Sequence, residues 1–151
     1  MGLIDIASSK SAWRGYEYYL NEKVHNYKRI NEYHYESKVN GNSKKPYNVF
    51  IDVKHPRKSK CDCPHAKDRR IICKHIVALY FQIFPKEATK YIKEIEEYEK
   101  EEDQRLKELD KKIIKYINSL SKEELKKIAI ELLYDNNEWT FNRFVRDRID
   151  Y

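Results

Sequence analysis

The chain has 151 residues, 40% hydrophobic and 37% charged, with 31 Lys and Arg against 25 Asp and Glu for a net charge of +6, a balance that suits a globular protein with a modest core. Its longest apolar run, Ile76 to Phe84, is broken by Gln82 and falls far short of a membrane span. Only three glycines are present, Gly2, Gly15 and Gly41, so no phosphate-cradling G-x-G-x-x-G or G-x-x-x-x-G-K-[ST] can be written, and G-x-S-x-G and H-E-x-x-H are absent too.

The first six residues, Met1 to Ile6, have neither a basic segment nor a long apolar one, and no Ser or Thr stands at position 6 for myristoylation. An intracellular, reducing setting is expected, the cytoplasm or, in a eukaryote, the nucleus. Ser8 or Ser9 can cap a first helix in which Ala12, Trp13, Tyr16, Tyr19 and Leu20 form one apolar face, expected to be core. Tyr33, Tyr35, Ser37 and Val39 then alternate with polar residues, as do Tyr47, Val49, Ile51 and Val53. Asn40-Gly41 begins the polar connection between them. The expectation is an antiparallel hairpin, with a third strand around Tyr27 to Asn31.

Cys61-Asp62-Cys63 and, nine residues on, Cys73-Lys74-His75 give C-x-C-x9-C-x-H, and these are the only three cysteines in the chain. Thiolate and imidazole in a set of four make one closed tetrahedral zinc site. A disulfide fits less well, because cysteines one residue apart pair badly and an odd count leaves a thiol over. His65, two residues past Cys63, is the alternative imidazole, as a ligand or as a neighbour of the metal. Cys73-Lys74-His75 opens a helix with Ile76, Val77, Leu79, Tyr80, Ile83 and Phe84 apolar before Pro85 interrupts, and a helix N-terminus favours the thiolate form. Four ligands leave no open position for water or substrate, so the metal is expected to be structural and the protein not an enzyme.

Beyond Pro85, Ala88, Tyr91, Ile92, Ile95 and Tyr98 keep a helical stripe, and the charged run Glu99 to Arg105 reads as a solvated helix or linker. Leu106, Leu109, Ile113, Tyr116, Ile117 and Leu120 restart the stripe. Ser121-Lys122-Glu123-Glu124 is a capping box that starts a helix with Leu125, Ile128, Ala129, Leu132 and Leu133 as its buried face; Asp135-Asn136-Asn137 ends it, and Trp139, Phe141, Phe144, Val145 and Ile149 mark a last helix.

Cys61-Asp62-Cys63-Pro64 and Cys73-Lys74-His75-Ile76-Val77-Ala78-Leu79 resemble the SWIM zinc-finger signature, C-x-C followed by C-x-H opening an apolar helix. Upstream, Arg14-Gly15-Tyr16-Glu17-Tyr18-Tyr19 resembles the short helix that precedes the finger in stand-alone members, and Pro46-Tyr47-Asn48-Val49-Phe50-Ile51 the strand leading into the first cysteine. All four ligand positions match, over roughly residues 12 to 84. The resemblance implies a nucleic-acid-binding or protein-interaction module of the kind found beside remodelling ATPases, transposases and recombination factors.

The expected fold is α+β: an N-terminal helix, a small antiparallel sheet and a zinc-nucleated helix in a finger module over 1–90, then a helical region over 91–151. Charge divides there as well, with 18 Lys and Arg against 9 Asp and Glu up to residue 90 and 13 against 16 beyond it. Within the finger, Lys54, Arg57, Lys58, Lys60, Lys67, Arg69, Arg70 and Lys74 face only Asp62 and Asp68 in sequence, a density suited to tracking a phosphate backbone, DNA rather than RNA. His55 and nearby tyrosines would add base stacking, which favours single strands. The alternative function is a protein-docking module on a recombinase, transposase or helicase-type ATPase, the acidic helical half supplying a second surface or a dimer contact.

Overall fold

The computed structural model describes residues 2–149. It is an α+β protein with a four-stranded antiparallel sheet and five α-helices among the described residues, dividing into two units, Met1–Glu96 and Glu97–Tyr151.

In the first unit, Ser8 caps α1 (Ser9–Leu20), its Oγ accepting the Ser11 N–H at 3.2 Å. Three strands follow, β1 (Lys28–Arg29), β2 (His34–Val39) and β3 (Tyr47–Asp52), and then β4 (Lys60–Cys61), so the sheet order is β1-β2-β3-β4. The hairpin register runs from Val39 opposite Tyr47 to His34 opposite Asp52. Strand periodicity sends Tyr35, Ser37, Val39, Val49 and Ile51 to one face, where all are buried. Ser37 is accommodated there because its hydroxyl donates to the His25 carbonyl at 2.9 Å.

The inner sheet face packs on α2 (Lys74–Ile83), in which every residue from His75 to Phe81 is buried. A helix covered on all sides is the centre of its unit, with the sheet on one flank and α1 on the other. Each fully buried aliphatic or aromatic side chain here contributes about 1.5–3 kcal/mol. Leu3, 1% exposed beside the short 3-10 helix Ile4–Ile6, joins the same cluster.

Three expectations change. The stripe on α1 turns inward through Ala12, Gly15, Tyr16 and Tyr19, leaving Trp13 43% and Leu20 59% exposed, because these two lie a quarter turn from the Ala12 direction. The third strand shrinks to Lys28–Arg29, and Tyr33 lies outside β2 and is exposed. β4 was not expected; its two residues pair with Val49 and Phe50.

In the second unit, helix α3 (Pro85–Ser119), which begins in the first, continues without a break through the charged run at 99–105. The capping box forms as read: Ser121 Oγ accepts the Glu124 N–H, and the Glu124 carboxylate accepts the Ser121 N–H at 2.8 Å, starting α4 (Lys122–Asp135). Asn137 caps α5 (Glu138–Arg148). No described residue beyond Glu96 is buried, so the buried face expected on α4 is corrected: Leu125 and Leu132 are exposed, Ile128 and Leu133 half-buried. A single short run of amphipathic helices has too little second layer to cover its apolar stripes.

Gly15 sets the spacing of α1 and α2. A Cβ on it would overlap Val77 Cβ and Cγ1 and stand 3.0 Å from the Lys74 carbonyl oxygen. Gly15→Ala gains about 1 kcal/mol of helix propensity but forces apart two helices whose obstructing atoms adjoin the backbone, at a cost of about 1–3 kcal/mol. The variant is expected to be less stable by up to about 2 kcal/mol in urea denaturation of the zinc-loaded protein, and a gain in stability would contradict the close approach.

Candidate metal centre

Cys61 arrives on β4, held in register opposite Val49. The C-x-C turn is fastened to the sheet by Asp62, whose carboxylate oxygens accept the Asn48 N–H at 2.9 Å and the Asn48 side-chain amide at 2.7 Å. Cys63 opens an irregular loop in which its carbonyl accepts the Ala66 and Lys67 N–H groups. Cys73 is the N-cap of α2, with extended backbone, and its carbonyl accepts the Val77 N–H at 3.1 Å. His75 lies in the first turn of that helix.

These four side chains converge. Their donor atoms all lie within 4.8 Å of one another, and all four residues are buried. His75 presents Nδ1 to the sulfurs, 3.7 Å from Cys61 Sγ and 3.8 Å from Cys73 Sγ. A tetrahedral zinc with bonds of about 2.3 Å to sulfur and 2.0 Å to nitrogen needs N···S edges of about 3.5 Å, so the cluster has the size the ion requires. The cysteines are free thiols rather than disulfides. His65 is exposed and outside the cluster, which removes it as a ligand.

The ionisation of the thiols points the same way. The Cys73 thiol is lowered to about 4 by its hydrogen bond with Cys61, against the effect of burial and aided by His75 and the Ile76 N–H. Cys61 is pushed up by that same shared hydrogen bond and by burial, and Cys63 by burial and by the Cys73 charge. Ionisation of one sulfur thus opposes ionisation of its neighbours, and a divalent ion is what lets all three ionise together.

With Nδ1 facing the sulfurs, His75 Nε2 is buried and finds no hydrogen-bond partner among the described residues. The ring sits instead among aromatics, its centroid 4.7 Å from that of Tyr47 and 5.5 Å from that of Tyr18. Gly41 closes this pocket, since a Cβ there would stand 2.8 Å from Tyr47 Cδ2 and 3.0 Å from Nε2. The imidazole is oriented by packing rather than by the carboxylate or carbonyl partner that zinc-bound histidines commonly have.

Residues 47–84 match the family model of the SWIM zinc finger. This segment is similar to a SWIM zinc finger. No curated protein and no solved structure matches the chain. Its Cys61, Cys63, Cys73 and His75 suit one structural zinc ion, which fills a coordination sphere with no position left over.

The basic residues of the finger are distributed unequally. Arg57, Lys58, Lys60, Lys67, Arg69 and Arg70 line one open groove of about 1860 Å3 on the outer face of the sheet. Lys74 is turned away, its Nζ donating to Tyr18 Oη at 2.6 Å, and Lys54 lies over the Tyr33 ring at 5.3 Å; neither lines the groove. Lys28 and Lys38, which sequence reasoning left out, do line it. Strand alternation held the signal, because Lys38 occupies an outward position of β2 between buried Ser37 and Val39.

Apparent zinc energies for such sites, about 10–16 kcal/mol at neutral pH, match or exceed the whole stability of an ordinary domain, about 5–15 kcal/mol. Chelation of the metal, or Cys73→Ser, is therefore expected to unfold the finger, seen as loss of the near-ultraviolet circular dichroism of the tyrosines around His75. Acidification should do the same, because protons compete with the ion for the sulfurs and for Nδ1. A finger that keeps this signal after complete zinc removal would show that the core alone sustains it.

Proposed function

We propose that this is an accessory nucleic-acid-binding protein, DNA its favoured target, in which the structural zinc holds a basic groove in shape. The observation that carries this reading is the gathering of six sequence-identified cations, joined by Lys28 and Lys38, around one concave surface. Such a surface attracts a polyanion from a distance and gains affinity by releasing its counterions. The zinc takes no part in chemistry, its four positions being occupied by protein, and the reading is of a binding protein rather than an enzyme. Three reduced cysteines as ligands suit a reducing intracellular compartment.

A second reading concerns the helical unit. Leu106, Leu109, Ile113 and Ile117 on α3 and Leu132 on α4 are each 46% or more exposed, and exposed apolar stripes of this extent mark protein-interaction surfaces. A recombinase, transposase or helicase-type ATPase is the kind of partner this unit would engage while the finger holds nucleic acid.

The two are separable. Reversal of Arg57, Lys58, Arg69 and Arg70 to Glu is expected to abolish DNA binding measured by fluorescence anisotropy while zinc content stays at one per chain. A protein contact made by the helices survives that change. For the wild-type protein, the logarithm of the duplex-binding constant should fall with the logarithm of salt at a slope of about −4 to −5 if five or so phosphates are neutralised. Undiminished DNA binding by a folded quadruple variant would overturn the nucleic-acid reading.

A further inference from the structure

We propose that the outer face of the sheet is a base-stacking platform for single-stranded nucleic acid, centred on Phe50. The inference rests on the nucleic-acid reading above and narrows it to one kind of strand.

Phe50 is misplaced for a core residue. It lies between Val49 and Ile51, 2% and 0% exposed, and so points to the opposite face of β3. Across the sheet it stands in one row with Lys28, Glu36 and Lys60, the four residues in register on the four strands. It is neither a member of the hydrophobic core nor packed against it, and it lines the basic groove. A large apolar ring in the middle of a row of charged side chains has no core to serve.

A second ring stands beside it. The His34 centroid is 5.2 Å from that of Phe50 with the planes 51° apart, and the His34 side chain is 35% exposed. His34 is held on both nitrogens: Nδ1 is 2.9 Å from the Asn31 side-chain amide and Nε2 is 3.4 Å from the carboxylate of Asp52, its register partner. Asp52 is buried, 4% exposed, and also fixes His55, accepting its N–H at 2.7 Å and lying 3.5 Å from its Nδ1. The rings are thus set in place before any ligand arrives, which lowers the ordering cost of binding.

The position of the cations selects the ligand. Arg57 and Lys58 on the loop before β4, and Lys67, Arg69 and Arg70 on the ligand loop, share the groove with the rings. A single strand can lay its phosphates along such cations and turn its bases onto aromatic faces below. A duplex keeps its bases stacked inside. It is read by a helix or ribbon projecting into its major groove, whereas this surface is a groove lined by rings as well as cations. Stacking tolerates any base, so the platform is expected to bind with little sequence preference.

The test uses the zinc-loaded full chain with labelled dT12, rU12 and a 12-base-pair duplex at matched salt. Wild type is expected to hold the single strands more tightly than the duplex. Phe50→Ala should weaken single-strand binding roughly 5- to 140-fold with the salt slope and the duplex affinity unchanged, and Phe50→Tyr should restore most of it. His34→Ala, which leaves Phe50 in place, should weaken the single strands in the same way. The proposal is overturned if folded Phe50→Ala and His34→Ala proteins bind dT12 and rU12 as wild type does, or if wild type binds duplex as tightly as single strands. Either result leaves the basic-groove reading standing; failure of wild type to bind any of the three probes removes both.

Discussion

The first unit depends on one constraint: four side chains from a two-residue strand, an irregular loop and a helix N-terminus must meet within 4.8 Å in a buried pocket. Regular structure alone offers little to hold them there. β4 contributes two residues to the sheet, and the segment between Cys63 and Cys73 is tied by turn hydrogen bonds such as Arg69 N–H to the Ala66 carbonyl. Two residues of ladder supply only about 1 kcal/mol net per hydrogen bond, against about 1–2 kcal/mol of backbone entropy for each residue ordered. A metal bond network an order of magnitude stronger outweighs that deficit. The crowded sulfurs resist ionising together, and a bound cation offsets that cost.

From this anchor the two faces of the sheet acquire different tasks. The inner face, Tyr35, Val39, Val49 and Ile51, closes on α2, the helix that carries Cys73 and His75. Core and metal site therefore share their elements. The outer face carries Lys28, Glu36, Lys38, Phe50 and Lys60, which line one groove with the cations of the neighbouring loops. A slip of β3 by one residue would exchange its faces, burying Asn48 and Phe50 and exposing Val49 and Ile51. The pairing of Val49 with Cys61 blocks that slip, since moving β3 would carry the first ligand away from the other three.

Much of this was legible in the sequence because it rests on local rules. The ligand set follows from spacing and residue type. The hairpin follows from alternation, and α4 begins where the Ser121 capping box places it. What escaped depends on distance. Lys60–Cys61 is too short to show a strand period, and it is a strand only because β3 lies beside it. Trp13 and Leu20 scored as core on hydrophobicity, yet the direction of α1 burial is set by Gly15 against Val77, a contact no single-helix pattern encodes. The apolar stripes of α3 and α4 were read correctly as stripes, but a period states which residues share a face and not whether anything covers it. Lys28 and Lys38 lie far from the cysteines in sequence and reach the groove only through strand pairing, which no local pattern encodes.

The electrostatics of the groove give a reason for its cations to be available. Lys28, Lys38, Arg57, Lys58, Lys60, Lys67, Arg69 and Arg70 share it with four carboxylates, Glu36, Asp52, Asp62 and Asp68. Two of the four are engaged in holding structure. Asp62 binds Asn48 through both oxygens, and Asp52 binds the His55 N–H while facing His34 and His55, contacts that outweigh its burial and keep its carboxyl below the ordinary range. Folding has therefore gathered eight cations around a concave surface and committed two of its four carboxylates to structural hydrogen bonds, an arrangement that raises the self-energy of the folded protein. Between exposed charges the cost is modest, about 1 kcal/mol for a pair 4 Å apart in water and less with salt, and zinc binding is large enough to sustain it. Screening ions satisfy such a groove only weakly, and a polyanion, whose charges are already linked, displaces them with a gain in entropy.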